Sequence, residues 1–582
     1  MNRALRRQQN KKSRKGGKGA RAGAAGPLTD ALRALQAGDP AGAFERALAI
    51  YGKRPDRQAA ELAMHAAINM AEIADGVAAA ARLAEAAADD AGIQNDYGAL
   101  LCRANRFADA ERVFLAALGL LPDDGMTLFN LGQALAGQDR FQDAEVAFRK
   151  AISAMPDNPQ AHATLGAALD SQDRWLDALA CYRKAHDLEP AQRRFRDQLE
   201  ASLKTCGIGY DERERMYLAD LVNDPGDFAA AMQLACVYRD TERLGQGVAV
   251  IEKWLPKEMN LAQEDRAQLR EILSELQFLG GDFKSAWPNY HWRLRRRRRW
   301  GGEPVQPEWR GENLQGKSIL VYAEQGIGDQ VMFMAMLRDL CATGARVLLE
   351  CDPRLVPLFR RSFPGVESVP VENPPVPETL DPGIDYHVAM GSLGCWLWDD
   401  FTGRSRGPYL TPDPVQVAAL RRRYKEESDD RLLGLVWKSP RGVDAGIKSF
   451  ALDELDPVLT MGETRIVDLQ YGETAAERAD MEARLGFGMV HDPSIDQMTD
   501  LDAFAAQIAA MDVVLAVSGS AAHMAGALGV PTVVLLSPAP QWKWGGEGER
   551  TDWYPSVTLL RRSVGKSRAD QARQARNLIA QL

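Results

Sequence analysis

Between Ala91 and Pro190, small, aromatic and charged positions return every 34 residues. Gly98, Gly132 and Gly166 share one phase; Arg106, Arg140 and Arg174 a second; Ala110, Ala144 and Ala178 a third; Phe114, Phe148 and Tyr182 a fourth; Pro122, Pro156 and Pro190 a fifth. A period of that length predicts two helices per repeat. The small positions let antiparallel helices approach closely, the aromatic fills the gap against the next pair, and the proline stops the second helix. The phase extends outward: Ala43 and Pro55 fit a repeat starting near Ala24, with an alanine-rich, weakly marked unit between. Downstream, "YRDTERLGQGVAVIEKW" and "LQFLGGDFKSAWPNYHWR" keep the rhythm, with Ala286 and Tyr290 in the small and aromatic slots. The expectation is a right-handed solenoid of roughly seven hairpins over residues 28–293, with a concave, peptide-binding face. The alternative, that the repeats only hold the second half in shape, stays open.

From Lys317 the pattern changes to strands alternating with helices. "SILVYA", "ARVLLEC", "ESVPVE" and "YHVAMG" form one strand set, interrupted by helical "QVMFMAMLRDLCAT" and "PRLVPLFRRSF". After a charged hinge, "RRRYKEESDD", a second set reads "LLGLVW", "RIVDLQ", "VVLAV" and "TVVLLS", with helices over Leu452–Thr460, Glu473–Leu485, Leu501–Met511 and Ser520–Leu528. Two such runs predict two doubly wound parallel-sheet lobes, 317–428 and 429–582, the second closing with a C-terminal strand and helix. Ligands in such sheets bind outside the carboxyl ends of the strands.

Length and composition then restrict the class. A chain of 582 residues exceeds what one core sustains, and 46% apolar with 26% charged residues is ordinary for folded protein. No apolar run approaches the ~18 residues of a membrane span. Seven scattered cysteines offer no zinc or redox motif, which fits a reducing cytoplasm. The net charge of −9 hides an asymmetry: residues 1–21 carry nine Lys/Arg and no acid, so the remainder carries −18. The tail, residues 1–27, lacks the apolar core of a signal peptide and reads as a solvated leader or a polyanion contact. An acidic body does not support a nucleic-acid enzyme. Residues 294–316 contain Arg295–Arg299 and read either as a solvated helix end with a Pro/Gly linker or as an acceptor or phosphate contact.

Candidate chemistry gathers at strand ends. The loop Gln325-Gly326-Ile327-Gly328 leads into Asp329, which either caps the helix that follows or works in a cleft. Ser518-Gly519-Ser520 ends a strand and opens the helix "AAHMAGALG", where free N–H groups favour the phosphates of a ligand. Lys438 and Ser439, past "LLGLVW", are phosphate neighbours by position alone. His523 either orients phosphates or packs the helix. No carboxylate pair invites a catalytic metal; Asp500–Asp502 reads as a helix cap.

The 34-residue pattern resembles the tetratricopeptide repeat. "AEQGIGDQ", "GLVWKS", "LQYGE", "VSGSAAHMAGALGVPTVVLL" and "WKWGGEGERTDWYPSVTLLRR", in this order over Lys317 to Leu582, resemble the catalytic half of tetratricopeptide-repeat glycosyltransferases related to bacterial heptosyltransferases. The resemblance implies a solenoid followed by an α/β GT-B fold, with acceptor and base on the first lobe and a nucleotide sugar on the second. It implies that Asp329 deprotonates the acceptor for direct, inverting displacement, that Lys448 neutralises the departing diphosphate, and that Glu473 contacts the ribose. A metal-independent enzyme without cofactor, using the nucleotide sugar as substrate, is expected. Relatives carry Asp-Thr where this chain has Ser518-Gly519, which suggests a donor other than heptose, such as an acidic sugar, or a lobe without activity. Three readings follow: transfer to a Ser/Thr hydroxyl of a protein docked on the repeats, flagellin being one such acceptor; transfer to an envelope saccharide; or a binding scaffold with an inactive lobe.

Overall fold

The computed structural model describes residues 27–296, 302–398, 407–426, 428–439, 445–539, 541–562 and 566–582. The basic tail up to residue 26, Arg297–Arg299 of the arginine run and residues 440–444 lie outside the described residues. The chain divides into two compact units, Met1–Ser202 and Leu203–Leu582. That boundary falls within the helix Arg193–Cys206, inside the stretch read as one solenoid.

In the first unit, ten helices from Pro27 to Leu188 form five hairpins of the tetratricopeptide type. The glycine phase has a direct cause: a Cβ on Gly98 or Gly132 would lie 2.5 Å from the ring of Phe114 or Phe148, and one on Gly166 would lie 2.9 Å from Tyr182. The aromatic therefore fills the gap inside its own hairpin, not against the next pair. Two further phases were not read from the sequence. Asp56, Asp90, Asp124 and Asn158, each 34 residues apart, accept backbone N–H bonds as N-caps and set the start of each first helix. Asn105, Asp139 and Asp173 take the left-handed conformation (φ 57–59°) that reverses the chain before the second helix. The cap supplies the phase in the alanine-rich unit, where glycine and aromatic markers are missing. The periodic arginines form a ladder, Arg140 pairing with Glu111 and Arg174 with Glu145.

The second unit begins with more helices: Tyr210–Asn223, Phe228–Asp240, Leu244–Glu252, Gln263–Leu279 and Phe283–His291. Up to His291 the described residues hold sixteen helices, hence eight pairs, one more than the rhythm alone suggests. The ladder recurs here, Arg243 with Glu214, after Glu242 at φ 59°.

Two all-parallel sheets follow. The first has the order β3-β2-β1-β4, with β1 (Ser318–Tyr322), β2 (Arg346–Cys351), β3 (Glu367–Pro370) and β4 (Tyr386–Ala389). The second has the order β6-β5-β7-β8-β9, with β5 (Arg431–Val436), β6 (Thr464–Asp468), β7 (Val513–Val517), β8 (Thr532–Leu536) and β9 (Val557–Arg561). Each lobe is therefore an α/β layer whose order reverses once, at β1/β4 and at β5/β7. Such reversals open the crevice where ligands bind. Some details depart from the sequence reading. Leu452–Thr460 splits into a 3₁₀ turn, Leu452–Leu455, and a short helix, Asp456–Leu459, because Pro457 denies the ladder an N–H. The basic half of the charged hinge completes the helix Pro414–Lys425. The stretch after the arginine run is no plain linker: Gln306, Trp309 and Leu314 are buried, and Glu308 bridges in parallel to His387 at the edge of the first sheet.

One apolar core joins the last helical hairpin to both lobes. Phe278, Trp287 and Tyr290 belong to the same buried cluster as the strands of both sheets. Phe278 stacks on Trp542 at 4.3 Å, and a Cβ on Gly394 would lie 2.2 Å from the Trp287 indole. Asp500 caps Leu501–Ala509 as expected, while Asp502 pairs with Arg361 and ties the second lobe to the first.

Candidate active site at the seam of the two lobes

β1 delivers the chain through Glu324 and Gln325 to the helix Ile327–Phe333. Gly326 occupies its N-cap position and provides no side-chain bond. Asp329, in the first turn, directs its carboxylate across the seam to the ammonium of Lys543 on the second lobe. An acid is electrostatically favoured at a helix start, yet this one is spent on an inter-lobe ion pair rather than on capping. Its side chain keeps 16% exposure, so it is sheltered without being sealed.

The facing wall comes from the switch strand β7 and the segment after β8. The helix Ser520–Leu528 starts directly behind Gly519. A Cβ on Gly328 would lie 3.1 Å from His523 Cδ2 and 3.3 Å from Ser520 Cα, tighter than ordinary contact, so glycine lets the acid loop come this close without displacing its neighbours. The helix starts of the two lobes thus abut. Ser518 Oγ donates to Gln541 Oε1 (2.7 Å) and accepts from Trp544 Nε1 (2.8 Å). His523 is buried, stacks on Trp544 at 4.4 Å and shares a hydrogen bond between Nδ1 and the Tyr554 hydroxyl (2.9 Å). Burial, reinforced by Lys543, lowers its pKa to about 3, so the ring is neutral and committed to packing. Burial likewise raises the Tyr554 phenol well above its usual range.

Lys543 was not singled out in the sequence, where its segment, "WKWGGEGERTDWYPSVTLLRR", is marked by its tryptophans. The alternation Trp542-Lys543-Trp544 contains the missed signal. Both indoles are buried, one against Phe278 and one against His523, and their anchoring points the intervening cation into the seam.

Other candidates take different positions. Lys438 forms an ion pair with Glu477, which also accepts from Trp437 Nε1, and its backbone N–H goes to Gln470 Oε1 (2.8 Å). The Ser439 N–H donates to Ser449 Oγ (3.0 Å). Both lie past the C-terminal end of β5, on the second lobe's switch point. Glu473 is exposed and accepts the N–H of Ala475 (3.0 Å), a helix-start contact. Lys448 is half-buried at the end of the short helix Ala445–Lys448, whose Ile447 packs on Gly207. Gln325 does not face the seam: its Nε2 donates to the Tyr290 hydroxyl (2.8 Å) in the last helical hairpin.

Chemically, the seam offers a carboxylate able to accept a proton, an ammonium beside it, and a helix N-terminus with its amides. Among the described residues no cluster of His, Cys, Asp and Glu has the makings of a metal site, and no helix is long and apolar enough to cross a membrane.

No family model matches the chain. Protein FlbA of Caulobacter vibrioides is 34% identical over 264 residues, which is 43% of this chain and 44% of that protein. The match therefore spans less than half the length of its relative. Among solved structures, MamA 41-end from Desulfovibrio magneticus RS-1 is 19% identical, covering 29% of this chain and 99% of its own, at a TM-score of 0.26. YrrB, described as a TPR protein with an unusual peptide-binding site, is 22% identical, covering 31% of this chain and 95% of its own, at 0.28.

Proposed function

We propose that the protein is a glycosyltransferase of the GT-B type that moves a sugar from a nucleotide-sugar donor to a Ser/Thr hydroxyl of a protein acceptor docked on the helical repeats. The observation that carries the proposal is the abutment of the acid loop of the first lobe on the helix start of the second, with Asp329 and Lys543 meeting at the seam. In this reading Asp329 accepts the acceptor's hydroxyl proton as that oxygen bonds to the anomeric carbon. The departing phosphate is stabilised by the amides at Ser520 and by the Lys543 ammonium. Repeats of the tetratricopeptide type support a protein acceptor, and the sequence resemblance makes flagellin the first candidate to try.

A second reading, a binding scaffold with an inactive lobe, draws on the same geometry: Lys543 occupies Asp329, and Ser518 is committed to Gln541 and Trp544. Intact-mass analysis of candidate acceptors produced with and without this chain separates the two. A discrete mass increase on Ser or Thr, dependent on the chain, is expected; capture of an acceptor with unchanged mass supports the scaffold.

A further inference from the structure

We infer that Tyr290 and Arg293, at the end of the last helical hairpin, are positioning residues for the loop that bears Asp329. The inference rests on the reading of Asp329 as the base, and it extends the working site into what the sequence presents as a docking solenoid.

The geometry is a buried polar clamp on Glu324 and Gln325, the last two residues before Gly326. Arg293 is fully buried, and its Nη2 lies 2.5 Å from Glu324 Oε1, itself on a side chain only 4% exposed. Nε also points at the carboxylate, 3.4 Å from Glu324 Oε2, and Nη1 donates to the Tyr290 carbonyl (3.0 Å) and to Ser392 Oγ (3.2 Å). Glu324 Oε1 also accepts the Gly391 N–H (3.2 Å), which brings in the turn after β4. The guanidinium lies 4.3 Å from the centroid of the Tyr290 ring. One residue on, Gln325 Nε2 donates to the Tyr290 hydroxyl at 2.8 Å, and that hydroxyl is 3.2 Å from Gln325 Oε1. The Gln325 carbonyl in turn accepts from Gln330 Nε2 (3.1 Å), on the same helix as Asp329.

A buried ion pair is poor value as a stability device, because desolvation offsets most of its attraction. What it supplies is a unique geometry: Glu324 has one well-satisfied position, and the loop leaving it has one direction. Asp329 stands five residues from Glu324, in the first turn of the helix that starts behind Gly326, so the direction in which Glu324 and Gln325 leave β1 sets where that turn begins. The hairpin itself is held rigid by Trp287 and Phe278 in the core of both lobes. The end of the helical region thus acts through Glu324 and Gln325 on the acid, and touches no substrate.

The test uses the full chain and Tyr290→Phe, which keeps the ring and removes only the hydroxyl. Backbone hydrogen exchange is expected to quicken in residues 324–331 and to stay unchanged in β5–β9. Where transfer is measurable, its turnover is expected to fall about 3- to 10-fold, the scale of one neutral hydrogen bond, at unchanged donor KM. Gln325→Leu is expected to give the same change, and the double variant no more than either single one, since each removes the same bond. Unchanged exchange in 324–331 overturns the inference, as does loss of protection throughout both sheets, which marks a purely structural role. If exchange shifts as expected and the wild-type chain transfers no sugar, the clamp stands and the transferase reading fails.

Discussion

The helical first unit and the lobed second unit use buried residues in opposite ways. In the first, the core is small and repeated: alanines, a few aromatics such as Phe114, Phe148 and Tyr182, and a polar rim of arginine ladders between partly exposed side chains. In the second, one aromatic-rich core runs from Phe278 through both sheets to Trp553 and Tyr554. Repeat units contact only their neighbours, so stability is nearly a sum of local terms. A single core spreads any local loss over the whole unit. The helices from Tyr210 to Leu276 fall in the second unit yet keep small buried clusters of their own, and the shared core takes over only from Phe278.

The largest test of that contrast is where the chain is cut. A fragment starting at residue 312 loses Phe278, Trp287 and Tyr290, whose burial contributes about 1.5–3 kcal/mol each, a sum on the scale of a whole domain's stability. It is expected to lose cooperative unfolding, whereas a fragment starting at Leu203 retains it. Equal sharpness of the two thermal transitions would show that the hairpin is an accessory.

A smaller effect should appear on acidification, where the lobed unit carries a buried neutral histidine. His523 is held neutral, with its pKa lowered to about 3 from an ordinary value near 6.5. The unfolded chain binds the proton first, so stability from this group is complete above about pH 6.5 and drains away as pH falls toward 3. The slope approaches about 1.4 kcal/mol per pH unit at most. Urea denaturation of His523→Gln at pH 7, 5 and 4 should show a shallower acid slope than the wild type; parallel slopes would mean that the ring is protonated or exposed in the folded state.

The smallest effect belongs to the repeats. Gly132→Ala places a Cβ against the Phe148 ring, costing about 1–3 kcal/mol by overpacking and recovering up to about 1 kcal/mol of helix propensity. The loss should stay within the neighbouring hairpins, read as local exchange in residues 125–154, with the lobes untouched. A drop in the stability of both units together would break the contrast.

The same contrast decides what was legible in the sequence. Gly98, Gly132, Gly166 and their aromatics are visible because each contact recurs at a fixed short offset, and the strands are visible because a parallel core strand is a continuous apolar run. Asp329 and Ser518-Gly519-Ser520 stand out in the sequence because strand–glycine–helix junctions carry their own signature, and the structure brings these two junctions together. Lys543 was not, because its partner lies 214 residues away and no local pattern encodes that distance. Arg293 stands two residues before the run Arg295–Arg299, whose composition suggests solvent, although the tertiary fold buries it against Glu324. Glu473 matched a motif, yet its local environment is that of an exposed helix start.

Asp329→Asn in single-turnover transfer to a captured protein acceptor is the most direct measurement, because it keeps the size of the side chain and removes only its ability to take a proton. Transfer is expected to fall by about 100-fold or more, the scale of general-base loss, with donor affinity retained by the second lobe. Near-normal transfer by that variant would contradict the role given to Asp329 and leave the seam between the lobes as packing alone.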